Sequence, residues 1–221
     1  MAGVLVTSRS AAEYRAMFDL SPADLTGRVL DCCAGGSGFA ADVPDAIAVD
    51  PAYALGYDEM ARLVRAGLRD GDRMIDANRD RFEWEWYGTT ERRAAMRLDA
   101  AESFLADLRA RPGRYVAASL PDLPLAADSV ELALCSHLLF TWANQLDEQW
   151  HHRAIAELVR VARREVRIFP LVLQGSGEPV EFLDRLRSSL PANELREVPY
   201  RFQRGARHML VIDAGTTSST A

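Results

Sequence analysis

A repeated alternation of short apolar strands with helical segments is the feature of this sequence that most restricts its fold. Helical periodicity is clearest at 91–110 and 147–162. Strands that alternate with helices predict a mostly parallel sheet with helices on both faces. A short loop joins the last two strands, which predicts an antiparallel strand at the end of the chain. Apolar runs bounded by turn residues predict seven strands, at 28–32, 46–50, 114–118, 131–135, 165–171, 195–200 and 207–213.

The length and apolar content predict one folded domain. A chain of 221 residues with 48% apolar content can bury one sizeable core, so we expect a single domain at 1–213 and a disordered tail at 214–221. Residues 53–112 separate the second and third strands and are expected to form a helical insertion that covers the substrate. No apolar run approaches the roughly 18 residues that span a bilayer, which predicts a cytoplasmic protein.

Charge and residue types exclude several kinds of chemistry. The net charge of −6 does not favour nucleic-acid binding, which depends on a basic surface. All 26 basic residues are arginine, so no mechanism can use a lysine base or Schiff base. The three cysteines, of which Cys32 and Cys33 are adjacent, indicate neither a disulfide framework nor a metal centre. Nothing in the sequence predicts the oligomeric state.

The segment VLDCCAGGSGFAADVPDAIAVDP, residues 29–51, predicts a ligand-binding turn between two strands. Gly36, Gly38 and Ala41 formally match the G-x-G-x-x-A pattern of dinucleotide-binding folds. In that pattern the glycines follow the strand almost directly, and an acid lies about 20 residues further on. Here three residues separate Asp31 from the first glycine, and Asp50 comes only fourteen residues after Gly36. The spacing therefore disfavours a dinucleotide.

The same residues resemble the first two motifs of class I S-adenosylmethionine-dependent methyltransferases. Asp31 closes the first strand, glycines 35, 36 and 38 form the turn, and Asp50 closes the second strand. The stretch SLPDLPLAADSVELALCSHLLF, 119–140, is similar to the next block of that family. The resemblance covers about residues 26–171. It implies a seven-stranded Rossmann-like sheet and S-adenosylmethionine (SAM) as cofactor.

The turn also departs from the family pattern, because Cys33 stands where its first glycine is expected. DCCAGGSG comes closer to the turn of some RNA methyltransferases. Those enzymes use lysines for catalysis, and this chain has none. An RNA substrate is therefore not expected.

The resemblance assigns roles around the cofactor. Asp50 would accept hydrogen bonds from the ribose hydroxyls, and the glycines would allow close backbone approach. An amphipathic N-terminal helix before the first strand would either close over the cofactor with Tyr14 and Phe18 or only pack in the core. The residues expected to contact SAM are Tyr14, Phe18, Asp31, Gly35, Gly36, Gly38, Asp50, Pro51, Ser119, Leu120 and Ser136.

Two groups of residues have two interpretations each. His137 follows the fourth strand, where it would either remove a proton from the acceptor or only contact the cofactor. His151 and His152 are expected at the surface. The aromatic residues of DRFEWEWYG would either form the wall of an acceptor pocket or pack the insertion onto the core; they are Phe82, Trp84, Trp86 and Tyr87.

The function that the sequence favours is methyl transfer from SAM to the oxygen, nitrogen or carbon of a small-molecule acceptor. One alternative is a catalytically silent SAM-binding protein or partner subunit. An RNA methyltransferase is less favoured because the chain has no lysine. An NAD-dependent oxidoreductase is less favoured because of the spacing between Asp31, the glycines and Asp50.

Overall fold

The structure, a computed structural model, describes residues 6–215, so the tail predicted at 214–221 lies almost entirely outside the described residues. Within this range, seven strands form one sheet in the order β3-β2-β1-β4-β5-β7-β6. Strands β1 to β5 run parallel, and β7 is antiparallel to both β5 and β6. The predicted Rossmann-like class and antiparallel last strand are confirmed. The strands are β1 (Val29–Cys32), β2 (Ala46–Val49), β3 (Tyr115–Val116), β4 (Val130–Ser136), β5 (Ala162–Phe169), β6 (Asn193–Glu197) and β7 (His208–Asp213).

Six α-helices cover the sheet in the described part of the chain. They are α1 (Ala11–Met17), α2 (Phe39–Asp42), α3 (Tyr57–Ala77), α4 (Thr90–Ala110), α5 (Glu148–Val161) and α6 (Leu183–Ser188). Side-chain caps fix where three of them begin: Ser10 for α1, Thr89 for α4 and Asp147 for α5. The insertion predicted between strands 2 and 3 is helical, since it holds α3 and α4, which pack against each other.

Two apolar clusters lie on opposite faces of the sheet. Helices α1, α3 and α4 contribute to one of them, and α5 and α6 contribute to the other. All four residues of β1 are buried, which is typical of a central strand covered on both faces. Leu98 of α4 is an exposed apolar residue, with 48% of its surface accessible. No helix within residues 6–215 is long and apolar enough to span a membrane.

His151 was expected at the surface, and that expectation is wrong. Its side chain is completely buried, and its Nε2 accepts a hydrogen bond of 3.0 Å from the backbone N–H of Phe140. Its Nδ1 lies 2.8 Å from the carbonyl of Asp147. The imidazole therefore ties the loop after β4 to the start of α5, which fixes the loop that carries His137.

Candidate functional site

The predicted cofactor residues lie at the carboxyl edge of the parallel strands. Strand β1 has β2 on one side and β4 on the other. The connection after β1 runs to β2 on one side of the sheet, and the connection after β4 runs to β5 on the other side. Open α/β sheets bind ligands in the crevice at such a point. The fold thus brings the ends of β1, β2, β3 and β4, with their following loops, to one edge.

The most accessible part of this edge surrounds Asp50. Gly35 and Asp50 are half-buried, while Pro51 and Ser119 are exposed. The Asp50 carboxylate accepts one N–H bond on each oxygen, from Gly35 and from Ala52, both at 2.9 Å. Burial raises the pKa of Asp50, and the two N–H bonds oppose that effect. Each carboxylate oxygen keeps capacity for a further hydrogen bond.

The glycine turn is contacted by the protein's own N-terminal segment, residues 6–9. The N–H of Gly36 donates to the carbonyl of Thr7 at 3.1 Å, and the N–H of Gly38 donates to the carbonyl of Arg9 at 2.9 Å. A Cβ atom at Gly36 would lie 2.8 Å from Ser8 Oγ, and one at Gly38 would lie 3.0 Å from the backbone oxygen of Ala100. The close approach that we predicted for a cofactor at these two glycines is therefore made by the chain itself.

Several other predicted contacts lie in the core. Asp31 is fully buried, and one of its oxygens accepts a hydrogen bond of 2.9 Å from the Tyr14 hydroxyl. Phe18 is fully buried between the rings of Tyr14 and Phe169. Leu120 and Ser136 are also buried. The lid predicted from Tyr14 and Phe18 is thus not available in this structure, because both rings are core residues.

A cavity of about 550 Å³ lies beside the N-terminal segment. Its walls are Thr7–Arg9, one face of α3, two arginines of α4, the loop after β4, and the loops at 174–177 and 200–204. Of the residues that the sequence singled out for the site, His137 and Phe82 line this cavity within the described part of the chain. The glycine turn and Asp50 do not line it.

His137 is held in a specific orientation at the cavity wall. Its backbone has a φ of 56°, its N–H donates to the carbonyl of Phe169 at 2.8 Å, and its Nδ1 lies 2.8 Å from Ser136 Oγ. Burial holds the pKa of His137 well below its usual value, and the charges of Arg9 and Arg97 lower it further. The imidazole is therefore neutral at pH 7, which is the form that can accept a proton.

Three of the four aromatic residues predicted as a pocket wall do not line the cavity. The chain is extended only briefly, where the N–H of Glu83 donates to the carbonyl of Phe202, and then turns between Trp84 and Gly88. The turn separates residues that strand-like alternation would have kept on one face. Trp84 packs edge-on against Phe202, Trp86 packs against the rings of Tyr87 and Tyr200, and Tyr87 is fully buried.

The cavity contains residues that the sequence analysis missed, above all arginines. Arg93 and Arg97 are buried on α4 and line the cavity together with Arg9. Arg97 pairs with the fully buried Glu13 of α1 at 2.8 Å, and Arg93 pairs with Asp72 of α3 at 2.9 Å. A signal was present in the sequence, because Arg93 and Arg97 continue the buried face of α4 at a spacing of four residues.

The depressed pKa of His137 leads to a direct prediction. In a titration followed by NMR of the imidazole protons, we expect His137 to titrate below its usual range. Arg9→Gln removes a positive charge that disfavours the imidazolium, so it should move the His137 midpoint upward. His137→Asn identifies the resonance. A His137 midpoint that is ordinary and indifferent to Arg9→Gln would contradict this electrostatic account.

Comparison with known proteins finds distant likenesses. No family model matches the chain. An uncharacterized protein of Methanocaldococcus jannaschii is 26% identical over 213 residues, which are 94% of this chain and 95% of that protein.

Solved structures of SAM-dependent methyltransferases are also similar, at low identity. A structure from Thermotoga maritima is 13% identical, with a TM-score of 0.44, covering 90% of this chain and 84% of that one. The 1,6-didemethyltoxoflavin-N1-methyltransferase of Burkholderia thailandensis, solved with S-adenosylhomocysteine, is 17% identical, with a TM-score of 0.47, covering 92% and 77%. The strand order and the antiparallel β7 identify a seven-stranded, mostly parallel Rossmann-like sheet.

Proposed function

We propose that this chain is a SAM-dependent methyltransferase that acts on a small-molecule acceptor. One observation carries the proposal. At the carboxyl edge of the sheet, the Asp50 carboxylate lies beside the glycine turn, and a cavity next to the segment that covers this turn reaches His137 after β4. A methyltransferase of this kind needs an acid to bind the ribose and a cavity for the acceptor with a neutral imidazole at its wall.

The residues of this edge fit SAM well at the ribose end. Asp50 is half-buried and can accept further hydrogen bonds, and Pro51 and Ser119 are exposed. At the methionine end, the N–H groups of Gly36 and Gly38 are already bonded to Thr7 and Arg9. The N-terminal segment therefore takes part in forming the methionine end of the site. Asp31 has one buried oxygen without a hydrogen-bond partner at this position.

When bound, SAM would be held at its ribose by Asp50, and it would supply a sulfonium methyl group for in-line transfer to a lone pair of the acceptor, with sulfur as the leaving group. His137 takes the proton that the acceptor loses. In the tautomer whose Nδ1–H donates to Ser136 Oγ, 2.8 Å away, Nε2 is the unprotonated nitrogen that can take this proton. Enclosure and alignment supply most of the acceleration in such a displacement.

The insertion at 53–112 provides much of the acceptor space. Gly67, Leu68, Gly71 and Ile75 of α3 line the cavity together with Phe82. The volume of about 550 Å³ lies within the range of roughly 300–1,000 Å³ that small-molecule sites occupy. We therefore assign the choice of acceptor to the insertion, and a nucleic-acid substrate is disfavoured by the net charge of −6.

Calorimetric titration with S-adenosylhomocysteine tests the proposal. Asp50→Ala removes the charged acceptor for the ribose, which should weaken binding about ten- to a hundredfold. Asp58→Ala is the matched control, because it removes an exposed carboxylate from the first turn of α3. Thermal unfolding of both variants shows whether loss of the N–H bonds to Gly35 and Ala52 has disturbed the loop.

Two outcomes of this titration would reject the proposed function: binding of NADH in place of S-adenosylhomocysteine, or equal affinity for Asp50→Ala and Asp58→Ala. Incubation with SAM and a panel of small acceptors, followed by mass spectrometry, then separates catalysis from binding alone. Cofactor binding without any methylated product across the panel would favour the silent binding protein.

A further inference from the structure

The cavity wall carries an excess of positive charge. Five arginines line it against one carboxylate, Asp72, within the described residues; they are Arg9, Arg81, Arg93, Arg97 and Arg204. Asp72 neutralises Arg93, and Glu13 neutralises Arg97 from α1. Arg81 and Arg204 are exposed at the rim, where they donate to backbone carbonyls. An anionic ligand would meet an attractive potential in such a space.

Arg9 is the arginine at this wall whose charge is least satisfied. One of its terminal nitrogens donates to Thr7 Oγ1 at 2.7 Å, but its buried Nε has no hydrogen-bond partner. Among residues 6–215, no carboxylate lies within salt-bridge distance of it. Burial lowers the pKa of Arg9, and the neighbouring charge of Arg97 lowers it further. Arg9 is half-buried, and an oxyanion that pairs with its guanidinium in the fork geometry would supply the counter-ion that it lacks.

Other polar atoms at the same wall also lack partners. Ser8 Oγ and Thr141 Oγ1 are buried without a hydrogen bond, and both residues line the cavity. The cavity wall also contains the aromatic rings of Trp142 and Phe202. This combination suits a ligand with a planar or apolar body and one charged group that fixes its orientation.

From these observations we infer that the acceptor carries an oxyanion group, a carboxylate or a phosphate, and that Arg9 is the residue that binds it. This inference rests on the proposed function and names its substrate class. The backbone carbonyl of Arg9 accepts the N–H of Gly38, so the same residue joins the glycine turn to the acceptor space.

An anion at this position would also act on His137. The charges of Arg9 and Arg97 disfavour its protonation. An oxyanion paired with Arg9 offsets part of that effect, so the affinity of the imidazole for a proton increases when the acceptor is bound. Arg9 is thus a positioning residue for the acceptor, and it couples acceptor binding to the strength of the base.

The test uses small probes with the full chain, in the presence of saturating S-adenosylhomocysteine. Benzoate and phenyl phosphate represent the two oxyanions, and benzamide is the neutral isostere of benzoate. Calorimetry should show that at least one anion binds about tenfold or more tightly than benzamide. At saturating S-adenosylhomocysteine, Arg9→Gln should remove this preference. Arg15→Gln, which removes an exposed arginine from α1, should keep the preference.

The inference is overturned if benzamide binds as well as the anions, if no anion binds saturably, or if Arg9→Gln and Arg15→Gln behave alike. It is also overturned if Arg9→Gln weakens S-adenosylhomocysteine binding and spares the anion, because Arg9 would then serve the cofactor. If the wild-type chain binds the anion through Arg9 but never binds S-adenosylhomocysteine, the proposed function fails and the anion site stands.

A measurement on the wild-type chain keeps the test valid if Arg9→Gln does not fold. The preferred anion should raise the midpoint of the His137 NMR titration, and benzamide should leave it in place. An unchanged midpoint at saturating anion would place the anion away from Arg9 and His137 and would reject the inference.

Discussion

Replacing Arg97 by methionine is expected to lower the free energy of unfolding by about 3–5 kcal/mol, because it leaves a buried carboxylate without its counter-ion. Glu13 is fully buried, and its pair with Arg97 measures 2.8 Å. Arg97 also donates to the carbonyl of Ser8 and to the Tyr87 hydroxyl. Burial by itself would lower the pKa of Arg97, but Glu13 and the neighbouring tyrosines raise it overall. Urea denaturation at pH 7 measures the effect.

A matched control separates burial from charge. Arg73→Met breaks an exposed pair with Asp70 on the surface of α3 and should change stability little. The double variant Glu13→Gln, Arg97→Met removes both charges and should recover part of the loss. If Arg97→Met costs no more than Arg73→Met, the buried pair does not hold α1 to α4 as the structure indicates.

The second large effect concerns Asp31 and pH. Burial raises the pKa of Asp31 to about 7, although the Tyr14 hydroxyl opposes this shift. Between its unfolded value near 4 and about 7, the folded state therefore holds one proton more than the unfolded state. The free energy of unfolding must then fall as pH rises through this window, by up to about 4 kcal/mol from this one group.

Asp31→Asn removes this titration while keeping a similar shape and an oxygen for Tyr14. The difference in unfolding free energy between Asp31→Asn and the wild type should be small near pH 4 and should grow in favour of the variant up to about pH 8. Other carboxylates cancel in this difference. Urea denaturation across the pH range measures it, and a difference that does not vary with pH would show that Asp31 ionises normally in the folded protein.

Local sequence patterns determined most of the fold. The apolar run of β1 and the alternation of strands with helices can be predicted from residues that are close in sequence. Hydrophobic periodicity and helix capping are set by residues only a few positions apart. The strands, the antiparallel β7 and the helical insertion were therefore predictable. Asp50 was predictable as the acid at the end of β2, because residues close in sequence also mark where a strand ends.

Tertiary structure alone decided what each of these residues touches. Thr7 and Arg9 bond to the glycine turn, and Glu13 pairs with Arg97 across 84 residues of sequence. Because the chain turns between Trp84 and Gly88, the aromatic residues of this segment do not share one face. Such contacts depend on how whole helices pack on the sheet, and no pattern within a few residues specifies which distant partner a side chain will meet. The arginine-lined cavity therefore exists only in the folded chain, where α1, α3 and α4 bring their charges to one wall.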